Sequence, residues 1–428
     1  MNILKNKLLW IAPIVLILIM MLLSVAFYPA YNSKPKDLPL AIVNLDEGTS
    51  IQSKSINIGK NLEDHLLKNK SEAIQWKAVS SEDKARSGLF NQKYYGIIVL
   101  EKDFSKHALS KTQATVMKAK QQEMEDKVKS GEIPPQVAQQ MAEKMKQSGL
   151  EQVKPQAAHL KTIVSEGSGL QGSQIANKVF NGISTNLNQK VMKQGLNILN
   201  KQNVSIPAKE IESLIQPVET KAVSVDKVKD HQANGNAPFL MFMPVWMGSI
   251  VSSILLFFAF RTSHLIQRSQ RVIAALSQIV VAVLTAFIGS FGYIYFMSGV
   301  QGFHFDHPNR VACFVMLAFL GFIGLILGTM TWLGMKSVPI FFLLMFFSMQ
   351  LVTTPKEMLP KFYRDYIAGW NPFSNYATTL RQIIYMHHPI ELNTTVWMFI
   401  GFMTFGIISV IVAAFVRNHS DKKAEIPA

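Results

Sequence analysis

The sequence predicts an α-helical membrane protein with six transmembrane helices, one N-terminal and five C-terminal, and a large extracytoplasmic domain between the first and the second. Three observations carry this. Long uncharged apolar runs recur near the start of the chain and throughout its last 190 residues. The charges are concentrated between them: of 43 Lys/Arg and 28 Asp/Glu in 428 residues, 29 and 22 lie between Tyr31 and Pro238. Charged residues make up only 17% of the whole, against about 25% in a soluble domain. This partition excludes a simple soluble enzyme and a disordered chain. The single cysteine, Cys313, excludes a disulfide framework and a Cys-based zinc site. The net charge of +15 is accounted for by a membrane, and no nucleic-acid partner is expected.

A hydrocarbon core about 30 Å thick needs about 20 apolar residues in a helix. Leu8–Tyr28, Phe239–Phe260, Val272–Met297, Val311–Leu333 and Val396–Val416 meet that length. Val338–Thr354 is shorter, begins with Pro339, and is read as a thin or tilted sixth span. Lys5, Lys7 and Ser24-Val25-Ala26 have some features of a signal peptide, but the apolar run exceeds the usual 7–15 residues, so an anchor is expected. With the N-terminus inside, Lys5, Lys7, Arg261, Arg268, Arg271, Lys336, Arg417, Lys422 and Lys423 are cytoplasmic. The short outer loops then hold Arg310, Lys356, Lys361, Arg364 and Arg381. The positive-inside rule selects this orientation, with both termini cytoplasmic and residues 31–238 outside.

The outer domain opens with Leu38–Asn44, a short apolar run closed by Asp46-Glu47-Gly48, which reads as a strand and turn. Ile58, Leu62, Leu66 and Leu67 recur at helical spacing. Ile74–Val79 and Tyr94–Leu100 read as further strands on either side of a helix over Glu82–Phe90. The alternation predicts a small α/β part over 31–103. From 104 to 238 Lys, Gln, Glu, Met and Ala dominate, punctuated by Pro134-Pro135, Pro155, Pro207 and Pro217, and several long amphipathic helices are expected, with partly disordered helix as the alternative.

Chemistry is sparse. Gly167-Ser168-Gly169-Leu170-Gln171-Gly172 fits the dinucleotide pattern, but no strand is expected before it and no acid follows at about 20 residues, so it reads as a flexible turn. His304-Phe305-Asp306-His307 reads as a solvated loop and His387-His388 as an interfacial pair, with no metal site. There is no Walker phosphate loop and no Gly-x-Ser-x-Gly elbow. No span interior contains Asp, Glu, Lys, Arg or His, the groups that ion-coupled transporters use as relays. Any uphill work must therefore draw on another subunit. Gly321, Gly324 and Gly328 share one helix face and are read as a close packing seam, within the subunit or between two copies. Asn371-Pro372 is a helix N-cap and first helical residue, followed by an apolar stripe of Tyr376, Leu380, Ile383 and Ile384.

Leu359-Pro360, Asn371-Pro372-Phe373 and Leu380-Arg381-Gln382-Ile383-Ile384-Tyr385 resemble the end of ABC-2-type membrane subunits. Leu38–Gly48, Tyr94–Val99 with Asp103-Phe104-Ser105, and Gly235–Phe239 leading to Val245–Gly248 resemble the YhgE/Pip (phage infection protein) branch of that superfamily. The similarity covers nearly the whole chain. Two features depart from it: the insert after Phe104 is shorter than in the largest members, and the long interfacial N-terminal helix is missing.

The resemblance implies an N-terminal part over 1–30, an outer domain over 31–238 and a five-helix membrane domain over 239–428. That last part would hold a re-entrant loop at 355–395, containing Pro360, Asn371, Pro372 and Arg381, and a cytoplasmic tail at 417–428. It implies that Arg261, Leu265, Ile266, Arg268 and Arg271 form a loop docking on a separate ATPase. It also implies a homodimer or a heterodimer with a related permease, contact with membrane lipid, and ATP used only through the partner subunit. The expected function is export of a lipid-like, amphipathic or drug-like molecule from a Gram-positive-type cell. The alternative is a surface scaffold or receptor without transport; a membrane enzyme is the weakest option.

Overall fold

The computed structural model describes residues 35–51, 54–69, 71–137, 139–140, 154–204, 214–260 and 267–416. The expected span Leu8–Tyr28 and the tail 417–428 lie outside them. The chain divides into two compact units: Lys36–Glu166 with Gln171–Val225, and a second unit that takes in Gly167–Leu170 and everything from Asp226 onward.

The first unit is an α/β layer. Its elements in chain order are β1 (Leu38–Asn44), the short hairpin β2 (Thr49–Ile51) and β3 (Lys54–Ile56), α1 (Ile58–Lys68), β4 (Ile74–Ala78), α2 (Glu82–Phe90), β5 (Gly96–Leu100), α3 (Phe104–Lys129), β6 (Ala158–Ser165), α4 (Leu170–Lys201) and β7 (Val218–Val225). The main sheet has the order β4-β1-β5-β6-β7. Strands β1, β4 and β5 run parallel, β6 is antiparallel to β5, and β7 is parallel to β6. Period-2 alternation sorts the side chains. Leu38, Leu40, Ile42, Ile98, Leu100, Leu160 and Val164 pack with Phe104, Ala108 and Phe180 on one face. Ala41, Val43, Ile97, Val99 and Ile163 pack with Ala85 and Leu89 of α2 on the other. β5 is buried at every position, as a central strand covered on both faces must be.

Two expectations are corrected here. The 104–238 stretch is not purely helical, because β6 and β7 complete the sheet. β7 reads Val-Glu-Thr-Lys-Ala-Val-Ser-Val and is an edge strand with four consecutive exposed residues, so it lacks an apolar run that would signal it. The glycine cluster is also not a free turn: β6 precedes it and α4 begins at Leu170. The three glycines still make no phosphate cradle, because protein fills their space. A Cβ on Gly172 would lie 2.2 Å from the Tyr95 ring, and one on Gly167 would lie 2.8 Å from Tyr385 Cβ. No acid occurs between Glu166 and Glu210 to hold a ribose.

The second unit comprises α5 (Ala237–Ala259), α6 (Arg268–Gly299), α7 (Pro308–Leu333), α8 (Val338–Thr353), α9 (Pro372–Tyr385) and α10 (Thr394–Val416). By length and composition it offers four apolar stretches able to cross a bilayer: Ala237–Ala259, Arg268–Gly299, Pro308–Thr353 and Thr394–Val416. The third stretch holds two helices. Gly334 ends α7 at φ 64°, ψ −155°, a conformation restricted in practice to glycine, and α8 restarts after one 3₁₀ turn. Residues 226–238, expected to belong to the outer domain, group with these helices.

Candidate functional site

The sequence motifs of the second unit converge on one buried aromatic cluster. Asn371 initiates α9: its Oδ1 accepts from the N–H groups of Phe373 (3.0 Å) and Ser374 (3.1 Å), and its Nδ2 donates to Ser348 Oγ (2.8 Å). The cap satisfies two otherwise orphaned donors, and the Ser348 bond ties the start of α9 to α8. Pro372 follows at the first helical position, where its missing N–H costs nothing. The predicted stripe of Tyr376, Leu380, Ile383 and Ile384 is fully buried, joined by Phe373 and Ala377. α9 is therefore a core helix of this unit.

Trp246 of α5 meets Phe373 edge-on at 4.6 Å between centroids and Phe322 of α7 at 4.9 Å. Phe322 meets Phe399 of α10 at 5.2 Å, and Tyr376 stacks on Phe314 at 5.8 Å. Offset and T-shaped contacts of this kind add about 0.5–1.5 kcal/mol per pair beyond burial. The Tyr385 hydroxyl, at the end of α9, donates to the Gln232 carbonyl (2.8 Å) and accepts from the Ala237 N–H (3.1 Å) at the start of α5. Of the other residues expected in the re-entrant loop, the Pro360 carbonyl accepts from Arg364 N–H, and half-buried Arg381 lies beside Gly169.

Gly321, Gly324 and Gly328 of α7 face α10 of the same chain. A Cβ on Gly324 would lie 2.5 Å from the Phe402 carbonyl oxygen, and one on Gly328 would lie 3.0 Å from Gly406 Cα. Of the predicted ATPase-docking residues, Arg261, Leu265 and Ile266 lie outside the described residues. Arg268 and Arg271 stand in the first turn of α6, which holds no acid. Two cations there oppose the positive end of the helix dipole, so the helix itself does not account for them.

Three features were not legible. The Asp46 carboxylate, 8% exposed, joins the starts of two helices. Its Oδ2 accepts from Gly59 N–H (2.9 Å) and Ser105 Oγ (2.5 Å), and its Oδ1 accepts from Ser105 N–H (2.9 Å) and Gly48 N–H (3.2 Å). Ser105 Oγ in turn accepts from Ile58 N–H (2.7 Å). The Leu-Asp-Glu-Gly and Asp-Phe-Ser motifs are thus two halves of one capping network, a structural junction 59 residues apart in sequence.

The second feature is an ionic cluster on Asp306. Lys229 Nζ lies 2.5 Å from its carboxylate, His304 Nε2 3.2 Å and His387 Nε2 3.8 Å. Burial opposes the charged carboxylate, but Lys229 with His387 and His304 outweighs it and holds the group below its usual range. The loop read as merely solvated is therefore tied to two other segments, and no three-ligand metal cluster occurs among the described residues. The third is a cavity of about 440 Å³ between α5 and α6, lined by residues that include Leu240, Pro244 and Tyr293.

The arrangement is one of packing and enclosure, with no nucleophile, base and orienting group brought together. The family model of the ABC-2 family transporter proteins matches residues 7–416, and the chain belongs to that family. Its members are non-catalytic membrane transport subunits that generally act with a separate ATPase. A curated relative is "Uncharacterized protein YhgE" of Bacillus subtilis (strain 168), 30% identical over 110 residues. That match spans 25% of this chain and 14% of the relative. No solved structure matches.

Proposed function

We propose that this chain is the permease subunit of an exporter, with six spans, both termini cytoplasmic and residues 31–238 outside, that moves a lipid-like or amphipathic molecule outward using a separate ATPase. The observation that carries the reading is the family match across residues 7–416 in a chain without a Walker site. The uncharged span interiors favour an amphiphile over an ion or a sugar. The arginines in the first turn of α6, a turn without an acid, concentrate positive charge at this end of the helix and support a docking role for the 261–271 loop.

The test is co-purification in mild detergent. Leu265→Ser with Ile266→Ser should leave insertion intact and abolish recovery of the ATPase. An unchanged ATPase yield would reduce the loop to a topology signal. Cysteines placed at Lys68 and His304 should react with an impermeant thiol reagent on intact cells, after Cys313 is removed. One placed at Ser263 should react only after lysis, and labelling of Ser263 on intact cells would overturn the orientation.

A further inference from the structure

The cavity between α5 and α6 has the build of a ligand site. Its volume of about 440 Å³ lies within the roughly 300–1,000 Å³ of small-molecule pockets. Its lining changes character along its depth. Leu240, Pro244 and Met297 belong to the apolar helices, whereas exposed His231 and Gln301 lie just beyond the helix ends. From Gly299 back to Tyr293 is six residues, or about 9 Å of helix, so the cavity straddles the boundary between apolar wall and polar loop.

Two hydrogen-bonding groups stand on the apolar side. Tyr293 is half-buried, and its hydroxyl bonds to no group among the described residues. Pro244 has no N–H, so the carbonyl of Leu240 lacks its usual donor four residues on. Tyr376, an electrostatic neighbour of Tyr293, is fully buried, and its hydroxyl has no partner among the described residues. The lining contains no Lys, Arg, Asp or Glu. Of the ionic groups near this end, Lys229 and Asp306 bind each other, and exposed Asp230, next to His231 in the chain, is not in the lining. A charged head brought here would lose hydration without gaining a counter-ion, a cost that a neutral hydroxyl or ester head avoids.

We infer that this cavity binds an amphiphile with an uncharged, hydroxyl-bearing head and an apolar chain, the head at the Tyr293, His231 and Gln301 end and the chain along Leu240 and Met297. The inference rests on the permease reading for its meaning, as the site where cargo is held, but binding is measurable without transport.

The experiment uses the full chain in detergent and a monoacylglycerol carrying a diazirine in its acyl chain. Illumination should label α5 and α6 peptides containing Leu240 and Met297. Unlabelled monoacylglycerol should compete at least tenfold better than the same chain carrying a phosphate or a choline phosphate head, or than dodecane. Leu240→Trp, at an exposed position that tolerates bulk, should abolish labelling. Tyr293→Phe should weaken it about fivefold, as expected for one neutral hydrogen bond. Gln301→Leu, outside the helices, gives a second readout that cannot unfold them and should also weaken labelling.

Equal competition by charged heads or by dodecane would overturn the assignment of the head, and labelling confined to other helices would overturn the site. Cavity labelling without any co-purified ATPase would leave the site standing while removing the permease reading. A co-purified ATPase with labelling elsewhere would do the reverse.

Discussion

Replacing Gly324 by alanine isolates the α7–α10 seam. The added Cβ would sit 2.5 Å from the Phe402 carbonyl oxygen and 2.9 Å from Met403 Cα, where ordinary contact begins at 3.4 Å. Both neighbours are backbone, so no rotamer change relieves the clash and the helices must part by about 0.9 Å, the difference between 3.4 and 2.5 Å. Overpacking of this kind costs about 1–3 kcal/mol, and a gap of 0.5–1 Å along the rest of the seam forfeits roughly a quarter to a half of each dispersion contact there. Alanine's better helix propensity returns only about 1 kcal/mol. The net expectation is a loss of about 2 kcal/mol. Gly289 of α6 is the control: nothing lies within 4 Å of its Cβ position, so Gly289→Ala should gain up to about 1 kcal/mol. Thermal unfolding of the purified protein in detergent, followed by intrinsic fluorescence, should therefore move in opposite directions for the two variants. Shifts of the same sign, or an unchanged Gly324→Ala, would refute the argument. Loss of dimer without loss of melting temperature would place the seam between two copies.

Three further outcomes are expected. Asp46→Ala leaves the Gly59 and Ser105 donors uncapped and should destabilise the full chain by about 1–4 kcal/mol, given roughly 0.5–2 kcal/mol for each of the two helix caps; limited proteolysis should then cut first within the α/β unit. Asn371→Ala should cost about 1–2 kcal/mol in the same melting assay, whereas Asn371→Asp, which keeps the cap acceptor and can accept from the Ser348 hydroxyl, should retain more stability at high pH than Asn371→Ala only to the extent that the cap offsets the burial of its charge. Burial opposes ionisation of Glu82, but Lys161 and Arg86 outweigh it and hold the pKa below its ordinary 4.5. Its stabilising contribution should be complete above that value and vanish as pH falls through the lowered one; Glu82→Gln should flatten the acid limb of stability against pH, and an unaltered limb would assign that limb to other groups.

Patterns that are local in sequence were readable. The β1, α2 and β5 segments were legible because apolar runs and caps are written in consecutive residues, and α9 because Asn371-Pro372 carries its own start signal. The α7–α8 break was visible as a gap between two apolar runs and is enforced at Gly334. What escaped was non-local. β6 gains its identity from pairing with β5 across 57 intervening residues, and β7 from pairing with β6 at an exposed edge. Asp46 looked like a turn residue because its partners lie 13 and 59 positions away. The Lys229–Asp306 pair and the cavity beside α6 arise from helix placement, which no window of sequence contains. The glycine cluster shows the converse: its spacing imitated a nucleotide fingerprint, while its purpose is to make room for Tyr95 and Tyr385.

The Tyr385 hydroxyl restricts how the helical unit can move. It bonds both the carbonyl before α5 and the first N–H of α5, from a helix that begins at Asn371 and is tied there to α8. Any displacement that slides α5 against α9 must break two hydrogen bonds at one end and pull Trp246 away from Phe373. These two helices therefore behave as a single lever.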